Sequence, residues 1–351
     1  MRESGLTRTE FSVSTLDPGD GVESADGKTI VGEPSFGALR IAVLVPCYNE
    51  QAAVTLVVTA FRNALPGAAI HVFDNNSTDT TRALAVAAGA IVRNVSLQGK
   101  GNVVRRMFAD VDADVYVLAD GDATYHAPSA PGLIRELIDH GLDMVVATRV
   151  PDHHDAYRRG HRLGNRMLTG AMNSIFGGSF TDMLSGYRVF SRRFVKSFPA
   201  MSRGFEIETE LTIHALELRM PCAEIATPYG LRSADSPSKL RTYSDGLRIL
   251  NMIVRLFAVE RPLRFYGVIG ALLAALALIL STPVLLTYIE TGLVPRFPTA
   301  ILSTGIAILS ALSFVTGLIL ETVTIGRREA KHLHYLASGT AVGGEQSRIG
   351  Q

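Results

Sequence analysis

Cysteine is scarce in this chain: two occur in 351 residues, Cys47 and Cys222. They stand far apart in unlike contexts. The reading is a pair of buried, reduced thiols suited to a reducing compartment, rather than a disulfide. An excess of either charge is lacking too. The 34 Lys and Arg nearly cancel the 33 Asp and Glu, for a net charge of +1. No global field draws such a chain to nucleic acid, and no basic patch interleaved with aromatics appears. Residues 1–38 hold no hydrophobic run and are rich in Ser, Gly, Asp and Glu. That excludes a secretory signal there and predicts a disordered tail. Charged residues are only 19% against 47% apolar. The chain is greasy for a soluble protein and too polar for a transporter, so the apolar excess must sit somewhere specific.

Three zones follow the tail. Residues 39–241 alternate short apolar runs with amphipathic stretches. Strands are predicted at Ile41–Pro46, Ala69–Asp74, Ala90–Asn94, Asp114–Asp120 and Asp143–Arg149. Helices are predicted at Glu50–Ala64, Thr78–Ala88 and Gly101–Phe108. Alternation of this kind implies an α/β domain: a Rossmann-like, mostly parallel sheet with helices on both faces. Ligands of such sheets bind beyond the carboxyl ends of the strands. Asp74, Asp120 and Arg149 each close a predicted strand. Residues 242–262 carry Leu247, Leu250, Ile253, Val254 and Phe257 at helical spacing, with Arg248, Arg255 and Arg261 between them. This predicts an amphipathic interfacial helix, on a membrane surface or on the main domain.

Residues 263–326 hold two uncharged runs, Phe265–Ile289 and Phe297–Leu320. Each exceeds the ~20 residues that cross a bilayer. A transmembrane hairpin with spans at about 265–289 and 297–323 is predicted, with Pro283 as a kink site. Arg261 and Arg264 precede it; Arg327, Arg328 and Lys331 follow it. The positive-inside rule then places both outer ends in the cytoplasm, with 327–351 as a C-terminal tail.

Several motifs carry chemistry. Asp120-Gly121-Asp122 places carboxylates at i and i+2 just past a buried strand, where both can meet one hard divalent cation. Asp74-Asn75-Asn76-Ser77-Thr78-Asp79 closes a strand and opens a helix. Asp74 or Asn75 suits a nucleobase edge, Ser77 or Thr78 suits a cap, and Asp79 favours the helix N-terminus. Gln98-Gly99-Lys100-Gly101 puts a cation and backbone N–H groups before a helix, as a phosphate requires, without P-loop spacing.

In this order and spacing, PCYNE (46–50), DNNSTDTT (74–81), GKGN (99–102) and ADGDATY (119–125) resemble glycosyltransferase family 2 with the GT-A fold. SGYRVFSRR (185–193), GFEIETEL (204–211), the SPSK stretch ending at Lys239 and the trailing hairpin resemble its dolichyl- and polyprenyl-phosphate sugar synthase branch. The resemblance implies an inverting, metal-dependent hexosyltransferase. It would carry sugar from a nucleotide-diphosphate-sugar, UDP-glucose first and GDP-mannose next, to a polyprenyl phosphate at the cytoplasmic membrane face. It implies Mg2+ or Mn2+ on Asp120 and Asp122. It implies donor contacts at Pro46, Tyr48, Glu50, Asp74, Asn75, Asp79, Lys100, Asp120, Gly121, Arg232 and Lys239. Acceptor-phosphate contacts fall at Arg149, at Arg162 or Arg166, and at Asp182 and Ser185. Asp122, Arg149 and Arg188 are the expected catalytic set. Membrane lipids are partners, and the branch includes homo-tetramers. Two positions depart from the branch: Thr124 where many members have Gln, and Asn75 where many have Asp.

A lipid monophosphate, with a second pKa of about 6, is already largely dianionic. It needs cations to hold it rather than a base, and Arg149, Arg158, Arg159, Arg162 and Arg166 supply them. The alternative is a membrane-anchored family-2 enzyme acting on a saccharide or glycolipid hydroxyl. That acceptor needs a carboxylate base, for which Glu206 and Glu208 are the candidates.

Overall fold

The computed structural model describes residues 13–14, 36–151, 159–178, 180–204, 206–230 and 242–339. The chain divides into two compact units, residues 1–249 with 333–351 and residues 250–332.

The first unit is built on β1 (Val13–Ser14), β2 (Ile41–Cys47), α1 (Val54–Ala64), β3 (Ala69–Asp74), α2 (Thr81–Ala87), β4 (Ile91–Asn94), α3 (Lys100–Asp110), β5 (Val115–Leu118), α4 (Ala130–Asp139), β6 (Met144–Pro151), α5 (Arg159–Phe176), β7 (Arg188–Ser191), α6 (Arg192–Ser197), α7 (Ile207–Glu217), β8 (Cys222–Tyr229) and the start of α8 (Thr242–Glu260). The sheet order is β1-β8-β6-β7-β5-β2-β3-β4. β2 and β5 are apolar runs buried along almost their whole length, as strands covered on both faces must be. α1 buries Val54, Val57, Val58 and Phe61, the i, i+3, i+4, i+7 stripe of a helix lying on a sheet.

The structure adds to the sequence reading in four places. β7 runs antiparallel between β5 and β6, with Arg188 opposite both Leu118 and Val146. It begins where β5 ends, so the loop before it emerges at the carboxyl edge of the sheet. β6 extends two residues past Arg149, because Val150 and Pro151 pair with Pro228 and Tyr229 of β8. α1 starts at Val54 rather than Glu50, after a turn in which the Ala53 and Val54 N–H groups donate to Glu50 O. Within the segment expected as a disordered tail, Val13 and Ser14 pair with Glu224 and Ile225 at the edge of β8. Both cysteines are free thiols, Cys47 buried and Cys222 half-buried.

The second unit holds the rest of α8, then α9 (Pro262–Thr291) and most of α10 (Phe297–Ala337). α9 and α10 are each long and apolar enough to cross a membrane. α10 buries Ser303, Ser310, Gly317 and Thr324, one residue in seven. This small stripe lets the helices approach closely. Ser310 Oγ donates to Gly270 O at 2.8 Å and Ser313 Oγ to Tyr266 O at 2.9 Å. Large apolar side chains such as Leu272, Ile279, Leu309 and Leu318 point outward. Gly292, at φ 68°, ends α9. α9 is unbroken through Pro283. α10 continues past the boundary expected at 327. Its last turns, back in the first unit, carry Tyr335, which donates to Asp143 Oδ2 at 2.6 Å and lies under the Arg193 guanidinium.

Candidate active site

The Asp120–Asp122 turn leaves β5 at the carboxyl edge of the sheet. A Cβ on Gly121 would stand 2.5 Å from Cys47 Sγ and 3.2 Å from Pro46 O, so only glycine lets the turn lie against β2. Ala123 takes a positive φ of 59°. Asp122 is buried, and its Oδ1 accepts from Thr124 N at 3.2 Å and Thr124 Oγ1 at 2.7 Å. Gly230 N donates to Thr124 O at 2.9 Å, and Tyr125 bridges to Tyr229. The end of β8 thus holds the acidic turn in place.

Lys100 reaches this turn from the start of α3. Its Nζ lies 2.5 Å from Asp120 Oδ1 and 2.5 Å from Glu208 Oε1, the latter on α7. Burial works against the ammonium. The two carboxylates outweigh it and hold Lys100 above its ordinary range. For Glu208, burial outweighs Lys100 and raises the carboxyl. Gly99, at φ 121°, and Gly101 press on the backbone of Arg203 and Ser202, which leaves no room for a side chain at either glycine. The loop is braced by Asn75. Its Oδ1 accepts from Gly99 N at 2.7 Å, while its Nδ2 donates to Val95 O and Leu97 O. That amide is occupied by backbone.

The 74–81 segment is tied to the 49–51 loop. Thr78 N donates to Asn49 Oδ1, Asn49 N to Ser77 Oγ, and Glu50 N to Thr81 Oγ1. Asp79 accepts from Thr81 N and Thr81 Oγ1. Burial works against the Asp79 carboxyl, but these bonds keep it below its ordinary range. Asp74 is buried, and its Oδ1 has no protein partner. Tyr48 is exposed beside half-buried Pro46, and Glu50 is buried.

On the other flank, Arg149 grips Asp182 with two bonds, Nε to Oδ2 at 2.7 Å and Nη2 to Oδ1 at 2.6 Å. Its guanidinium stands 5.7 Å from the Tyr229 ring centre. Glu224, on β8, accepts from Thr181 N, Thr181 Oγ1 and Asp182 N, and so anchors the loop that carries Asp182. Tyr125 sits between the flanks. Burial raises its phenol, the Asp120 charge adds to that, and Arg149 opposes it.

Ser185 and Arg188 lie inside the protein. Ser185 Oγ donates to Ala147 O at 2.6 Å. Arg188 is fully buried and donates to Ser185 O, Met183 O and Thr212 Oγ1. Its donors are spent on the 183–185 loop and α7, which makes it a brace for the site, in contrast to the catalytic role expected from sequence. Arg162 and Arg166 fall on α5. Arg158, Arg232 and Lys239 lie outside the described residues. Sequence reasoning missed Glu224 and the pairing of Glu208 with Lys100. For Glu224 the signal was there, a lone carboxylate inside the apolar stretch CAEIAT; Glu208 is one of three glutamates in FEIETEL, and nothing in the spacing singles it out.

The donor set at the turn suits a hard cation. Among the described residues no group of three or more His, Cys, Asp or Glu gathers around one point. Thr124 is spent on Asp122. Asp120 and Asp122 therefore fit a Mg2+ or Mn2+ ion that completes its shell with a ligand's own oxygens, rather than an all-protein cage.

The model of the family described as "Glycosyl transferase family 2" matches residues 42–198. Glycosyltransferase AglJ of Haloferax volcanii is 34% identical over 232 residues, 66% of this chain and 76% of that protein. A dolichyl-phosphate hexose transferase of the same organism is 27% identical over 221 residues, 63% of this chain and 95% of that protein. Among solved structures, glucosyl-3-phosphoglycerate synthase of Mycobacterium tuberculosis, in complex with Mn2+, UDP and glucosyl-3-phosphoglycerate, superposes with a TM-score of 0.56. It is 24% identical, over 71% of this chain and 87% of that one, a likeness of fold. With its acidic turn, glycine-flanked lysine and mostly parallel sheet in the family's arrangement, the chain belongs to glycosyl transferase family 2.

Proposed function

We propose that this glycosyltransferase moves a sugar from a nucleotide-diphosphate-sugar, of the UDP-glucose type first and GDP-mannose next, onto a polyprenyl phosphate. The catalytic domain faces the cytoplasm, and α9 and α10 cross the membrane. The observation that carries the acceptor is Arg149, a guanidinium held in fixed orientation by Asp182 at the carboxyl end of β6. Asp182 takes the Nε–Nη2 edge, so the guanidinium would bring a phosphate monoester a positive charge in a set orientation rather than that edge. The backbone of α5 puts Arg162 and Arg166 on the helix that follows β6. Relatives named for dolichyl phosphate point the same way.

On the donor side, Asp74, Glu50, Tyr48 and Pro46 border the nucleobase, with Asn75 and Asp79 bracing that pocket. Asp120 and Asp122 would hold a divalent cation, which would supply charge neutralisation for the leaving diphosphate. Mn2+ with UDP in the mycobacterial structure supports that placement. Lys100 adds a fixed cation beside Asp120. Thr124 orients Asp122 and Gly121 gives the turn its clearance. The leaving diphosphate gathers charge as the anomeric bond breaks, so groups aimed there lower the barrier.

A saccharide acceptor would need a base. Glu208 is committed to Lys100, whereas the Glu206 carboxylate, half-buried, accepts from Gly204 N at 3.2 Å. The test incubates purified full-length protein with Mn2+, polyprenyl phosphate and a panel of nucleotide-sugars, and reads glycolipid by mass spectrometry. Glycosylated lipid phosphate from one sugar, with Glu206→Gln close to wild type, is the expected result. Transfer only to saccharide hydroxyls, lost in Glu206→Gln, overturns it.

A further inference from the structure

Lys100, Asp120 and Glu208 form a trio with one positive and two negative charges. Lys100 Nζ is 2.5 Å from an oxygen of each carboxylate. Their side-chain exposures are 9% for Lys100, 29% for Asp120 and 5% for Glu208. Asp120 is the open member. It also faces the donor's cation in the reading above, on which this inference rests. An ammonium and a divalent cation cannot both sit on one carboxylate edge without strong repulsion at this burial.

Two features decide where Lys100 goes. Gly186 walls one side: a Cβ there would stand 2.7 Å from Asp120 Oδ2 and 3.0 Å from Lys100 Nζ. On the other side Glu208 Oε2 is buried and has no hydrogen-bond partner, although Oε1 of the same group is paired. An orphan carboxylate oxygen is costly unless something uses it. Glu208 stands in the first turn of α7, a helix buried from Ile207 to Ala215, so it does not move to follow its partner.

We infer that Glu208 is the positioning residue of the donor site: it receives Lys100 on both of its oxygens when the cation and diphosphate take Asp120. Lys100 is the cation that Asp120 pairs with in this structure. Glu208 is where it is held once it is displaced, within reach of the diphosphate. This is a different task from the general base that the sequence offered for the same residue.

The test compares the full-length protein, Glu208→Gln and the double variant Lys100→Met with Glu208→Gln. Mn2+ is titrated by electron paramagnetic resonance with UDP held at saturation. In Glu208→Gln the amide cannot accept at both atoms, so Lys100 stays on Asp120 and Mn2+ affinity falls about tenfold, a loss typical of a supporting residue. The double variant removes the competitor and restores affinity to within about twofold of wild type. Lys100 keeps Asp120 in the first variant, and in the second only Asp120, the most exposed member of the trio, loses its ammonium. Unchanged affinity in Glu208→Gln overturns the inference. So does a double variant as weak as Glu208→Gln, for then Glu208 acts on the cation itself. Wild type that takes up no Mn2+ with UDP overturns the reading of the donor site, and the inference with it.

Discussion

Thr124 Oγ1 donates to Asp122 Oδ1 at 2.7 Å across a single residue of positive φ, Ala123. The hydroxyl fixes the aim of a carboxylate that is itself buried. Thr124→Val keeps the shape and removes the donor. Turnover is expected to fall roughly tenfold, with the Mn2+ activation curve displaced to higher concentration. Thr124→Ser should recover most of the loss. Metal-activation curves of the variants are the check, and identical curves for valine and wild type would remove Thr124 from the site.

Gly186 offers a second probe of the same place. Gly186→Ala drives a methyl against Asp120 Oδ2 and Lys100 Nζ. UDP affinity in the presence of Mn2+, measured by calorimetry, is expected to drop tenfold or more, on the order of what small misplacements cost an aligned site. A thermal melt run alongside separates this from unfolding.

Arg149 tests the acceptor. Arg149→Lys keeps the charge but loses the two-bond grip on Asp182. KM for the lipid phosphate is expected to rise on the order of tenfold, with a smaller change in KM for the nucleotide-sugar. Equal changes in both would place the guanidinium elsewhere in the reaction.

His71, on β3, reports on pH. Burial lowers its pKa, and the nearby Arg93 lowers it further. A folded-state value below the unfolded one means that its contribution to stability is whole above about pH 6.5, the ordinary His value, and is lost as pH falls through the folded value. The midpoint of thermal unfolding should therefore decline from pH 7 to pH 5. His71→Gln should make that decline shallower.

Gly317 tests the hairpin. A Cβ there meets Tyr266 Cβ at 3.2 Å and Leu263 Cα at 3.3 Å, so backbone would have to move. Gly317→Val is expected to cost about 1–3 kcal/mol, the usual range for overpacking. Melting in detergent micelles is the measurement.

Much of this was legible in the sequence. Val43, Val45 and Val117 sit in uninterrupted apolar runs, and such runs in alternation with helices specify a parallel sheet whatever its order. The acidic turn was legible because Asp120 follows a buried strand. β7 was not. Four residues, RVFS, carry no periodicity that tells a reversed strand from a forward one, and its pairing is set by Leu118 and Val146 far along the chain. Nor was the inward task of Arg188 legible. An arginine beside a glycine and a tyrosine reads as a ligand contact until Met183 O and Thr212 Oγ1 are found to take its donors. Asn75 reads as a base contact for the same reason, and its amide is spent on the loop that carries Lys100.

The reversed strand carries a further consequence. Because β7 begins at the carboxyl edge, one short loop, 182–186, reaches both flanks of the site. Asp182 holds Arg149 at one end, and Gly186 closes on Asp120 and Lys100 at the other. In the proposed reading, a substrate on either flank meets the same five residues of backbone. The two substrates should bind with synergy, and linkage requires the synergy to be reciprocal: whatever factor the nucleotide adds to acceptor affinity, the acceptor returns to the nucleotide.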